Sequence, residues 1–250
     1  MTEPTKMEEE ETPPKSEEEE KKEETKPVPP LEAAARRIER LLGGGLTDKD
    51  SHLYTYTNPT KVIRRWLGTA SGAAGNATSE DIAAAAAILL DPQGPCSTRR
   101  ELVGGAAGNA AVSVEVKPEG FLTKASCREV ESWLISLSIR LLRKEGKFQD
   151  AYTLAEKGIA ILLNHLSAAS TNLVSSTGVS SSSSLFPLLA RMYRYRSLVA
   201  DVLKDQSINA YLRQDMAKAH NMACLRRDVD CQATLLNLML QDLILHSQSK

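Results

Sequence analysis

Apolar residues recur along this chain at helical spacing and almost nowhere at strand spacing. Leu31, Ala34, Ile38, Leu41 and Leu42 mark one face of a first helix over 31–42, which the glycines at 43–45 stop. Asn58 followed by Pro59 is an N-cap with proline at the first helical position. Val62, Ile63, Trp66 and Leu67 continue that second helix, and Gly68 is expected to close it. A third starts at Ser79 with Glu80 and Asp81 in its first turn, where carboxylates favour the dipole. It carries Ile82 and the alanine-rich run 83–90, and ends at Asp91-Pro92.

The clearest periodicity follows. Ser126 and Glu129 have the spacing of a capping box. Val130, Trp133, Leu134, Leu137 and Leu141 then share a face, and Gly146 ends the helix. Phe148, Ala151, Tyr152, Ala155, Ile159, Leu162 and Leu166 define the next, so close behind that the two must pack antiparallel. Trp133 is expected to be buried between these helices, 126–146 and 147–166. The Ser/Thr-rich tract 167–184 reads as a flexible loop. Three further helices are predicted over 185–203, 207–226 and 231–246, with Asp230 as the candidate N-cap of the last. The hexapeptide GAAGNA occurs at 72–77 and again at 105–110, but the flanks differ, and the region 92–122 is Gly/Ala-rich. The expected fold class is all-α, a right-handed helical-repeat solenoid of tetratricopeptide-like helix pairs. Its expected parts are an acidic tail over 1–30, an N-terminal helical region over 31–122, and a repeat domain over 123–250.

Composition changes this picture at the N-terminus. The first thirty residues hold 11 Glu, 5 Lys and six prolines against two Met and one Val, so they are expected to be disordered. They net −6 while the whole chain nets −1, which leaves +5 spread thinly over the remainder and no dense basic run for nucleic acid. A Glu-rich start is the opposite of a secretory leader, and no stretch approaches a membrane span. A reducing compartment and free thiols are therefore expected for Cys96, Cys127, Cys224 and Cys231.

Candidate chemistry is sparse. No phosphate loop, nucleophile elbow or HExxH is present, so no catalytic or cofactor-binding residue is expected. His220, Cys224 and Cys231 would share a face on a continuous helix, but Asp228 and Asp230 interrupt it and no CxxC pair exists. Buried free thiols beside a hydrogen-bonded histidine are expected there, with no metal. The arginine pairs Arg36-Arg37, Arg64-Arg65, Arg99-Arg100 and Arg226-Arg227 read as solvated faces or salt bridges. Arg191, Arg194 and Arg196, interleaved with Tyr193 and Tyr195, form the best basic-aromatic cluster. The expected reading of that cluster is a helix with both faces occupied, not a nucleic-acid surface.

Two motifs carry a resemblance. Gly146-Lys147-Phe148-Gln149-Asp150-Ala151 resembles the inter-helix turn of tetratricopeptide-like repeats, although the later small position is Gly158 instead of alanine. The C-terminal segment, with Leu225-Arg226-Arg227-Asp228 followed by Gln232-Ala233-Thr234-Leu235-Leu236-Asn237-Leu238, resembles the non-ATPase subunit 3 family of the 26S proteasome regulatory-particle lid. The tyrosine-rich Arg191 to Tyr195 stretch, and Glu129, Val130, Glu131, Trp133 and Leu134, also fit that family. The resemblance spans 126–246, is loose over 31–90 and is absent from the acidic tail. It implies a non-catalytic scaffold in ubiquitin-dependent degradation, in cytoplasm and nucleus, with other lid subunits as partners. It implies no nucleic acid, membrane or small-molecule substrate, and no cofactor. It also implies a PCI domain, which would lie beyond Lys250. Signalosome and translation-initiation scaffolds share that plan and stay open as alternatives. So does a free helical-repeat adaptor, which calls for a ladder of Asn, Lys and Arg along a concave face; no such ladder is visible.

Overall fold

The computed structural model describes residues 29–42, 59–91, 102, 121–122, 127–171, 184–204 and 206–247. The acidic stretch 1–28, most of the Gly/Ala-rich region and residues 172–183 of the Ser-rich tract lie outside the described residues, as do Asn58 and Ser126. Every regular element among the described residues is a helix, and the protein is all-α. The elements are α1 Pro30–Leu42, α2 Pro59–Ala73, α3 Ser79–Leu89, α4 Cys127–Lys144, α5 Phe148–Thr171, α6 Phe186–Leu203, α7 Gln206–Leu225 and α8 Val229–Ser247.

Three boundaries differ from the sequence expectation. First, α2 runs through Gly68 to Ala73. A glycine inside a helix costs only about 1 kcal/mol, and burial of Ala70 and Ala74 on the same face as Trp66 offsets it. Second, α5 runs on through Ser167 to Thr171, so the first five residues of the expected loop are helical. At the tract's other end Ser184 is buried, its hydroxyl 2.6 Å from Glu129 Oε1. Third, α8 is capped by Asp228, not Asp230: Asp228 Oδ1 accepts from the Cys231 amide at 2.9 Å, satisfying one of the helix's orphan donors. The complete capping box among the described residues belongs to α3, where Thr78 and Asp81 satisfy each other.

The turns are sharp for identifiable reasons. Gly146 has φ +78°, with its amide bonded to the Arg143 carbonyl and that of Lys147 to Leu142. This is a Schellman motif, and it folds α5 back on α4. The α7–α8 turn repeats it with Arg227 at φ 55°, Arg227 bonding to Cys224 and Asp228 to Ala223.

Packing is continuous. One apolar core runs from Leu31 to Leu238. Helix α1 packs on α2, α3 and α4; α4 on α5 and α6; α6 also on α2, α5, α7 and α8; and α8 on α7. Because α4 is covered nearly all round from Cys127 to Ile139, it buries Ser136 and Ser138 as well. Their hydroxyls donate back to the carbonyls of Trp133 (2.7 Å) and Leu134 (3.1 Å), so neither hydroxyl is left without a partner. Gly158 lies where α4, α5 and α6 converge: a Cβ there would sit 3.0 Å from Ile135 Cγ2 and 3.0 Å from Met192 Cε. The glycine that departs from the repeat consensus is thus the residue that lets these helices close.

Candidate binding cleft

Helix α6 carries two opposed faces. Tyr193 and Arg196 point inward and are fully buried. Arg196 Nη1 donates to Asp215 Oδ2 at 2.8 Å; Nη2 donates to Glu156 Oε1 at 2.8 Å and to Tyr152 Oη at 2.9 Å. Its guanidinium lies over the rings of Tyr152 and Tyr211, 5.0 and 5.5 Å from their centroids. One arginine therefore joins α5, α6 and α7. Burial alone would lower its pKa, but the hydrogen bond it donates to Tyr152 and the neighbouring carboxylates prevail and raise it, so the charge is retained. Burial pushes the Tyr193 hydroxyl far up, and the Asp215 charge adds to the shift.

The opposite face holds Arg191, Arg194, Tyr195 and Leu198, at i, i+3, i+4 and i+7. These residues line a cleft of about 650 Å³. Arg143 closes it from α4, Arg64, Leu67 and Ser71 from α2, and Asp230, Cys231 and Thr234 from α8. Gly68 keeps the α2 wall open: nothing lies within 4 Å of where its Cβ would be. The wall is tied down at one corner. Arg64 pairs with Asp228 (3.6 Å) and with Asp230, and the Thr60 hydroxyl donates to Asp228 Oδ2 at 3.3 Å. Cys231, buried beside Asp228, has its thiol pushed up to about 12, by burial first and the carboxylate second; a thiol so shifted is a poor nucleophile.

No known protein family, curated protein or solved structure matches this chain. Its site is therefore read from geometry.

The sequence expectations divide accordingly. The Arg191–Tyr195 cluster is two sites, not one: Arg196 and Tyr193 are core, while Arg191, Arg194 and Tyr195 line the cleft. Their helical phase was the signal that separates them. Arg36 pairs along its own helix with Glu32 and Glu39, and Arg64 bridges to α8. Arg99 and Arg100 lie outside the described residues. His220 Nδ1 approaches Cys224 Sγ at 3.7 Å, but Cys224 is exposed, not buried as expected, and Cys231 belongs to the cleft. Among the described residues no group of His, Cys, Asp and Glu could hold a metal ion. Cys224 and Cys231 are free thiols, but Cys127 is disulfide-bonded, against the expectation that all four are free. Among the described residues no helix is long and apolar enough to cross a membrane.

A second surface stands out on α8. Cys231, Leu235 and Leu238 face the core, whereas Leu236, Leu240, Leu243, Ile244 and Leu245 are each about half exposed (45–56%). Leu236, Leu240, Leu243 and Ile244 lie on one side of the helix, and an exposed apolar stripe of this kind is a candidate interaction surface.

Proposed function

We propose that the chain is a non-catalytic scaffold of the 26S proteasome lid, related to the non-ATPase subunit 3 family, in which stacked helix pairs hold neighbouring subunits. The observation that carries this reading is the outward apolar stripe of α8, Leu236, Leu240, Leu243 and Ile244. It adjoins the segment on which the family resemblance rests. Within that segment, Leu235 and Leu238 bury into the core, and the Gln232 amide donates to the Ala223 carbonyl at 3.0 Å at the end of α7. On this reading the residues that carry the resemblance make the α7–α8 joint.

The repeat reading has its own support. From α4 onward each helix packs on the next, and α4 also reaches α6 and α6 reaches α8. Such next-but-one contacts are what stacked helix pairs require. On this reading the protein is a right-handed solenoid that works in cytoplasm and nucleus in ubiquitin-dependent degradation, with lid subunits docked on α8.

Tagged chain expressed in cells tests this. Co-purification of lid subunits, lost when Leu240 and Leu243 are both changed to Glu, is the expected result. Recovery of no lid subunit, or recovery unaffected by the double substitution, refutes it.

A further inference from the structure

We propose that the cleft between α2, α4, α6 and α8 is a binding site for an acidic peptide segment of a partner protein. This goes beyond the scaffold reading and does not depend on it.

Arg64, Arg143, Arg191 and Arg194 come from three helices and converge on one cleft of about 650 Å³. Among the described lining residues Asp230 is the single carboxylate, and Arg64 already engages it. Among the described residues Arg143, Arg191 and Arg194 have no ion-pair partner. Like charges gathered without counter-charges repel one another, and an anionic ligand relieves that repulsion. Guanidinium groups present paired donors matched to carboxylates, and Arg64 already forms ion pairs with Asp228 and Asp230.

The rest of the lining selects among anions. Leu67, Pro187, Ala190 and Leu198 give aliphatic surface between the arginines. That suits a peptide which interleaves carboxylates with aliphatic side chains. Single-stranded nucleic acid needs successive aromatic platforms for its bases, and among the described lining residues only Tyr195 is aromatic.

The test uses the full chain and a short fluorescein-labelled peptide of glutamates interleaved with leucines, read by fluorescence anisotropy. The same peptide with glutamine for glutamate, and an oligouridylate, serve as comparison ligands. The glutamate peptide should bind, weaken with added salt, and outcompete both. Arg191→Gln combined with Arg143→Gln should weaken it by about tenfold or more, with the circular-dichroism melt unchanged because both side chains are only partly buried. Arg191→Lys, which keeps charge but loses the paired donors, should fall between. Equal binding of the glutamine peptide, tighter binding of oligouridylate, or indifference to the arginine substitutions would each overturn the proposal. If the peptide binds only after Glu17, Glu18, Glu19 and Glu20 are changed to Gln, the occupant is the chain's own acidic segment and the assignment to a partner falls.

Discussion

The indole of Trp66 leans on that of Trp133, with ring centroids 5.1 Å apart and planes inclined at 58°. Both rings are buried, and Trp66 Nε1 donates to the Ala34 carbonyl at 2.8 Å. The contact joins α2 to α4 while the hydrogen bond holds α1, so these N-terminal helices share one core with α4. Trp133 is buried as its helical phase predicts, but its aromatic partner comes from α2.

Replacement of either tryptophan by alanine should cost about 3–5 kcal/mol, through lost burial and the cavity left behind. The double substitution should reveal a coupling of about 0.5–1.5 kcal/mol from the ring–ring contact. Urea unfolding followed by far-UV circular dichroism measures all three; simple additivity would show that the rings do not interact.

Arg196 should be among the most sensitive polar positions. Arg196→Ala strands the Asp215 carboxylate beside a buried cavity and should cost about 3–5 kcal/mol. The two carboxylates are not equivalent. The Glu156 side chain is 46% exposed and that of Asp215 19%. Solvent screening makes Glu156→Gln nearly silent, within about 0.5 kcal/mol, whereas Asp215→Asn should be clearly destabilising. Equal effects in thermal melts would contradict this ranking.

Glu129 gives the fold a pH dependence. Burial pushes its carboxyl above the ordinary 4.5, and the Ser184 hydrogen bond only partly opposes the shift. The folded state therefore favours the protonated acid. That contribution is complete below about pH 4.5, and is lost as pH rises until the folded carboxyl ionises too. Relative to the native chain, Glu129→Gln should gain stability across that window and hold a constant difference above it. Parallel pH profiles for the two proteins would show that the carboxyl is not shifted.

Gly158→Ala sets helix propensity against space. Alanine should gain about 1 kcal/mol from propensity, but its Cβ would meet Ile135 and Met192 at 3.0 Å. Overpacking of this kind costs about 1–3 kcal/mol, so a net loss is expected, larger for Gly158→Val. Combining Gly158→Ala with Met192→Ala should cost less than the two single changes together, because the second makes room for the first. Additive costs in chemical denaturation would place the strain elsewhere.

The α8 flank should make the isolated chain self-associate. Sedimentation velocity should show concentration-dependent oligomers that Leu240→Glu with Leu243→Glu converts to monomer. A monomeric native chain at high concentration would show that half-exposed leucines alone do not suffice.

Local sequence suffices for whatever depends on neighbours a turn away. Helix identity follows from spacing such as Val130, Trp133, Leu134 and Leu137, and the α4–α5 turn follows from Gly146, because only a residue tolerant of positive φ closes a Schellman motif cheaply. Tertiary structure decided whatever needs partners distant in the chain. Gly68 ends no helix, because Ala70 and Ala74 find a core beyond it. Asp228 caps α8 and is braced by Thr60 and Arg64, which lie on α2. Arg196 is core and Arg194 is not, although both are arginines on one helix. The difference is that Tyr152, Glu156 and Asp215, on α5 and α7, surround one of them, and only their joint hydrogen bonds and charges can offset the desolvation of a buried guanidinium. The cleft is likewise assembled from α2, α4, α6 and α8, so its arginines become one site only when those helices pack.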